Sequence, residues 1–161
     1  MPKNPDAAVM DVLNEVLTAE LTAINQYFLH AEMCGDWGFK KLHDFIRKES
    51  IDEMKHAEKL IERILYLGGV PNVQRLFPIR VGETVPEMLD ADMALEVEAI
   101  DRLNKGIPLL REKGDAGSAL ILEAILESEE HHLDWIESQK DQIDQMGVQL
   151  YLASQVGDQP G

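Results

Sequence analysis

The sequence predicts an all-α protein: a four-helix bundle with a long crossover between helices two and three and a short fifth helix at the C-terminus. Three observations predict it. Four long segments carry apolar residues at helical spacing and break at glycine or proline. The stretch from Val70 to Gly82, holding Pro71 and Pro78, has no such pattern and is long for a bundle connection. A set of acidic and imidazole side chains recurs along the four segments at one fixed offset.

The first helix is expected from about Asp6 to Asp36, with Pro5 at a permitted first-turn position after Asn4. Gly35 and Gly38 mark a tight turn, and the second helix runs from about Phe39 to Leu67, stopped by Gly68, Gly69 and Pro71. If helices two and three run parallel, the Val70 to Gly82 connection must travel the length of the bundle. The third helix starts near Thr84, where Thr84 and Glu87 have capping-box spacing and Pro86 sits in the first turn, and ends near Lys113. Gly106 and Pro108 fall inside it, and a kink or local break is expected there. The fourth helix runs from about Asp115 to Met146, and Val148 to Ser154 form the short fifth one. One domain therefore covers residues 1–161, with the bundle at about 6–147 and a loose tail at 157–161.

Two Glu-x-x-His tetrads, Glu53 to His56 and Glu129 to His132, are each preceded by a lone glutamate, Glu20 and Glu96. The separation from 20 to 53 and from 96 to 129 is 33 residues, and all three positions recur 76 residues on. A Glu and a His three apart share one helix face, so each tetrad can offer an oxygen and a nitrogen to one metal. All six interrupt apolar stripes. Glu20 lies among Val16, Leu17, Ala23, Ile24 and Tyr27, and Glu53 and His56 lie with Ile46, Leu60 and Ile64. Glu96 lies among Leu89, Met93, Ile100 and Leu103, and Glu129 and His132 among Leu122, Ile125, Leu126, Leu133 and Ile136.

An uncompensated buried carboxylate costs several kcal/mol, so four of them must be protonated, paired or metal-bound. Pairing is scarce: the stretch from Asp6 to Asp36 has no Lys or Arg, and that from Asp115 to Gly147 has only Lys140. Two divalent ions would neutralise four carboxylates. Such a carboxylate-rich, thiolate-free set suits iron or manganese better than structural zinc and leaves positions where dioxygen or peroxide could bind.

The net charge of −15 disfavours nucleic acid and anionic membranes as partners. Cys34, the single cysteine, makes no internal disulfide, and no basic segment precedes an apolar run at the N-terminus. A cytoplasmic protein is expected.

The runs AELTAINQYFLHAEM, ESIDEMKHAEKLIERIL and ILESEEHHLDWIE resemble the bacterioferritins, and the resemblance covers nearly the whole chain. It implies a ferritin-like bundle and a ferroxidase that oxidises Fe(II) with dioxygen or peroxide and stores the product as a mineral. Glu20, Glu53, His56, Glu96, Glu129 and His132 fall where that family has its di-iron ligands. On that likeness Glu53 and Glu129 bridge two irons, Glu20 and His56 completing one and Glu96 and His132 the other. Tyr27 becomes a partner of the metal site behind its ligands. Met54 becomes an axial ligand of a haem b, one per subunit pair, with Leu21, Asn25 and Phe28 as the adjoining wall. A homo-oligomeric shell of 24 subunits and a small ferredoxin-type reductant for iron release are likewise implied.

Lys48 departs from the pattern. It stands four before Asp52, where some family members carry a His that joins the equivalent Asp in an inner-surface iron site, and lysine is a poor iron ligand at neutral pH. Among the remaining residues, His30, His43 and His131 read as surface or packing histidines because none repeats at the offset of 76. Trp37 and Trp135 read as packing anchors, Cys34 as inert, and the Ser50 and Glu53 capping spacing as a coincidence inside a helix. The rivals are a rubrerythrin-like peroxidase, which the single cysteine disfavours, a manganese-catalase-like enzyme, and a helical interaction protein with incidental acids.

Overall fold

A computed structural model describes residues 4–157, so the tail beyond Gly157 lies outside the described residues. The helices are α1 (Ala7–Asp36), α2 (Lys40–Tyr66), α3 (Val85–Glu112), α4 (Ala116–Met146) and α5 (Val148–Ser154), with no strand among the described residues. α1 begins after Asp6, whose carboxylate accepts from the N–H groups of Ala8 and Val9 at 2.9 and 3.1 Å. Pro5 thus stands outside the helix rather than in its first turn, because the aspartate supplies the cap. At α3, Thr84 accepts from Glu87 N–H while the Glu87 carboxylate takes the N–H of Glu83, one residue earlier than a capping box requires.

α3 is continuous through Pro108, so the expected local break is absent. The carbonyl that Pro108 leaves without its N–H belongs to Asn104, and both residues are exposed, so the lost bond falls on the solvent side of α3. Buried Gly106 lets the same segment press against Val12 and Leu122. Trp37 is also corrected: it is 39% exposed, with its ring edge-on to Phe39, whereas Trp135 stacks on Phe45 at 4.0 Å as an anchor should.

The crossover is tied to α1 by a line of side chains. Asn72 N–H donates to Asn14, Phe77 N–H to Thr22, Arg80 N–H to Gln26 and Gly82 N–H to His30, at 2.8 to 3.0 Å. As the crossover advances, its partners advance along α1, so it climbs beside that helix and delivers α3 at the far end. α3 then runs back against α1, as the contacts of Gln26 and His30 with Asp92 and of Tyr27 with Glu96 require. Parallel α2 and α3, and hence the ferritin-like connection, follow.

The core is in two parts. One holds Leu13, Leu17, Leu60, Ile64, Leu103, Leu110, Leu122 and Ile125. The other holds Tyr27, Leu42, Ile46, Leu89, Leu95, Ile136 and Tyr151. On every helix of the bundle the break between them falls at a glutamate: Glu20, Glu53, Glu96 and Glu129. The apolar halves therefore clamp a polar layer from both ends.

Candidate metal centre

That polar layer gathers all six residues singled out by the repeat. Ligand atoms of Glu20, Glu53, His56 and Glu129 lie within 4.8 Å of one another, and so do those of Glu53, Glu96, Glu129 and His132. The two groups share Glu53 and Glu129. All but His56 are buried. His56 Nδ1 lies 3.4 Å from Glu20 Oε2, and His132 Nδ1 lies 3.0 Å from Glu96 Oε1.

Three buried oxygens, Glu53 Oε2, Glu96 Oε2 and Glu129 Oε1, have no hydrogen-bond partner. Glu129 Oε1 lies 3.2 Å from His56 Nδ1, close enough for charge attraction but outside hydrogen-bond geometry. Each such orphan costs about 1–3 kcal/mol, which a cation among them would remove. The donor set therefore fits metal ions: four carboxylates and two imidazoles whose free atoms converge.

The electrostatics agree. Burial raises the Glu20, Glu96 and Glu129 carboxyls above the usual range, Glu96 most strongly, with the Glu129 charge adding to the effect at Glu96. Burial works against protonating His56, but the carboxylates of Glu129 and Glu20 outweigh it and push the imidazole up to about 10. Without metal, this layer holds protons where ions could sit.

Tyr27 is fully buried, donates its hydroxyl to Glu96 Oε1 and stands edge-on to the His132 ring at 4.9 Å. Two clefts between α2 and α4 reach the layer. One, about 550 Å³, is lined by His56, Arg63, Tyr66, Leu120 and Ile125. The other, about 390 Å³, is lined by Glu49, Asp52, Glu127, His131 and His132.

Residues 10–146 match the ferritin-like domain family. The chain is 56% identical over 149 residues to a bacterioferritin of Streptomyces coelicolor, covering 92% of this chain and 89% of that protein. It is 50% identical over 155 residues to a bacterioferritin of Mycolicibacterium paratuberculosis, covering 96% and 98%. To bacterioferritin BfrA of Mycobacterium tuberculosis it is 48% identical over 160 residues, covering 99% of each. This chain belongs to the bacterioferritin family.

Set against what a bacterioferritin is expected to carry, Met54 lies off the buried layer and is 55% exposed. Phe28 is half exposed, Leu21 half-buried, and exposed Asn25 donates to the Leu21 carbonyl at 2.8 Å. Asp52 is partly exposed and pairs with Lys48 at 3.4 Å. Ser50 caps nothing: its hydroxyl donates to the Ile24 carbonyl and links α2 to α1.

The sequence reading missed Glu49 and Asp92. Buried Glu49 lies 3.4 Å from His132 Nδ1, and buried Asp92 accepts from Gln26 and His30. Each stands four residues before a repeated glutamate, on the same helix face, which was the available signal. His30 is a packing histidine as expected, but a fully buried one with both ring nitrogens engaged.

Proposed function

We propose that this chain takes up ferrous iron as substrate, oxidises it at the buried layer, and stores the ferric product as a mineral inside a shell of many copies. The observation that carries this reading is the pair of four-residue groups sharing Glu53 and Glu129. Two cations side by side with two common carboxylates can each give up one electron to a two-electron oxidant. With dioxygen the two electrons and two protons yield hydrogen peroxide; with peroxide they yield two waters.

The residues divide the work. Glu53 and Glu129 lie between the two positions, Glu20 and His56 complete one, and Glu96 and His132 the other. Tyr27 fixes the Glu96 carboxylate through its hydroxyl. The apolar halves of the core keep the layer short of water, and the two clefts give ions a way in and out between α2 and α4.

For the haem, an exposed thioether with an exposed phenyl beside the same helix pair fits a group held between two copies of the chain. Met54 would supply the axial sulfur and Leu21, Asn25 and Phe28 the wall, and the haem would supply an electron route. A 24-subunit cytoplasmic shell and a ferredoxin-type reductant complete the reading; no helix among the described residues is long and apolar enough to cross a membrane.

The test is to add Fe(II) to metal-free protein anaerobically, then admit oxygen. Fast oxidation of two ions per subunit, with a very large particle by light scattering and a Soret band, is the expected result. Slow oxidation with no stoichiometric phase, or manganese in the purified protein together with catalase activity, would count against it.

A further inference from the structure

The repeat that builds the metal layer is broken where it matters. Under the offset of 76, the Glu96 and His132 position is backed by Tyr27, Glu49 and Asp92. The counterparts backing Glu20 and His56 are Leu103, Ile125 and Val16, all apolar and buried. Gln26, which bonds Asp92, has Arg102 as its counterpart.

Asp92 is 3% exposed and accepts at one oxygen, Oδ1, from Gln26 Nε2 and from His30 Nδ1, both at 2.9 Å. The tautomer of His30 is settled by the crossover. Its Nε2 accepts from Gly82 N–H at 3.0 Å, so that nitrogen carries a lone pair, the ring is neutral, and Nδ1 holds the proton given to Asp92. Arg80 N–H likewise engages Gln26 Oε1 and turns its amide nitrogen toward Asp92. The carboxylate is thus gripped by two neutral donors, so neither offsets its charge. Asp92 stands one helical turn before Glu96 on the same buried face of α3. On the other side no acid stands at the counterpart of Asp92, which is Val16, and Arg102 takes the place of Gln26, 3.6 Å from Glu15.

We infer that the two metal positions are inequivalent and that Asp92, clasped by Gln26 and His30, makes the Glu96 and His132 position the first to fill. A buried negative charge behind one position favours a cation there, and the apolar residues behind the other supply none. Asp92 is a positioning residue: it touches no ion and acts through the field and the fixed spacing of α1 and α3. The inference rests on the proposed metal role of the six residues.

Cobalt(II) is the probe, added to metal-free protein and followed by its visible absorption and by anomalous scattering from crystals. At one equivalent per subunit, density at Glu96 and His132 is expected; density at Glu20 and His56, or equal occupancy, overturns the inference. Asp92→Asn keeps the oxygen that Gln26 and His30 bond, removes the charge and puts an amide NH2 in place of the second oxygen. It is expected to weaken the tighter step about tenfold and leave the weaker step unchanged. An unchanged titration, or equal weakening of both steps, overturns the inference even if two ions still bind. Failure of the unaltered protein to bind any cobalt overturns the metal reading itself.

Discussion

The Tyr27 hydroxyl donates to Glu96 Oε1 across the α1 and α3 interface, while His132 Nδ1 approaches the same oxygen at 3.0 Å. One carboxylate oxygen is thereby committed to two partners, and its twin, Glu96 Oε2, is left without any. That division leaves the second oxygen free, as the proposed metal role of Glu96 requires.

Tyr27→Phe removes the donor and leaves His132 Nδ1 as the remaining partner of Glu96 Oε1. The metal-free protein is expected to lose about 1–3 kcal/mol of stability. Chemical denaturation of metal-free and cobalt-loaded samples checks it, and a variant as stable as the parent in both states would contradict the role.

Glu53 belongs to both four-residue groups and Glu20 to one. Glu53→Ala should therefore abolish uptake of two cobalt ions and slow the initial oxidation of Fe(II) by about 100-fold or more, whereas Glu20→Ala should still bind one ion. Equal binding stoichiometries in the two variants would show that the carboxylates are not shared.

Metal removal should make stability depend on pH in one direction. His56 titrates near 6.5 when unfolded and near 10 when folded, so its contribution is whole below 6.5 and is lost as pH rises through 10. Burial keeps Glu20, Glu96 and Glu129 protonated above their usual value of 4.5, so their ionisation at higher pH also weighs against the fold. The melting temperature of metal-free protein should fall from pH 6.5 toward pH 10, with Co(II) restoring it, since the ions replace the protons. A flat or rising profile without metal sinks the prediction.

A Cβ at Gly82 would stand 2.3 Å from the backbone nitrogen of Met88, so the backbone itself must shift. Gly82→Ala should push the crossover off His30 and destabilise the protein by about 1–3 kcal/mol. Faster amide exchange at residues 77–82 is expected alongside the lower melting temperature.

Lys48 pairs with Asp52 on the rim of the cleft that also holds Glu49 and His132. Lys48→His exchanges a poor iron ligand for a good one there, and core formation is expected to accelerate. Equal mineralisation rates would show that the rim plays no part in moving iron.

Helix limits, the two tetrads and their lone glutamates were legible in the sequence, because caps act within one turn and apolar periodicity reports which face of a helix turns inward. That is a local property of each segment. Which residue meets which across the interior is not local: the common place of Glu53 and Glu129 in both groups, the grip of Gln26 and His30 on Asp92, and the approach of Glu49 to His132 all depend on the vertical stagger of the helices. That stagger is decided by how the crossover lies along α1 and how the two apolar halves pack above and below the polar layer. Pro108 and Trp37 teach the same lesson, since only the packed bundle reveals whether a carbonyl or an indole faces water.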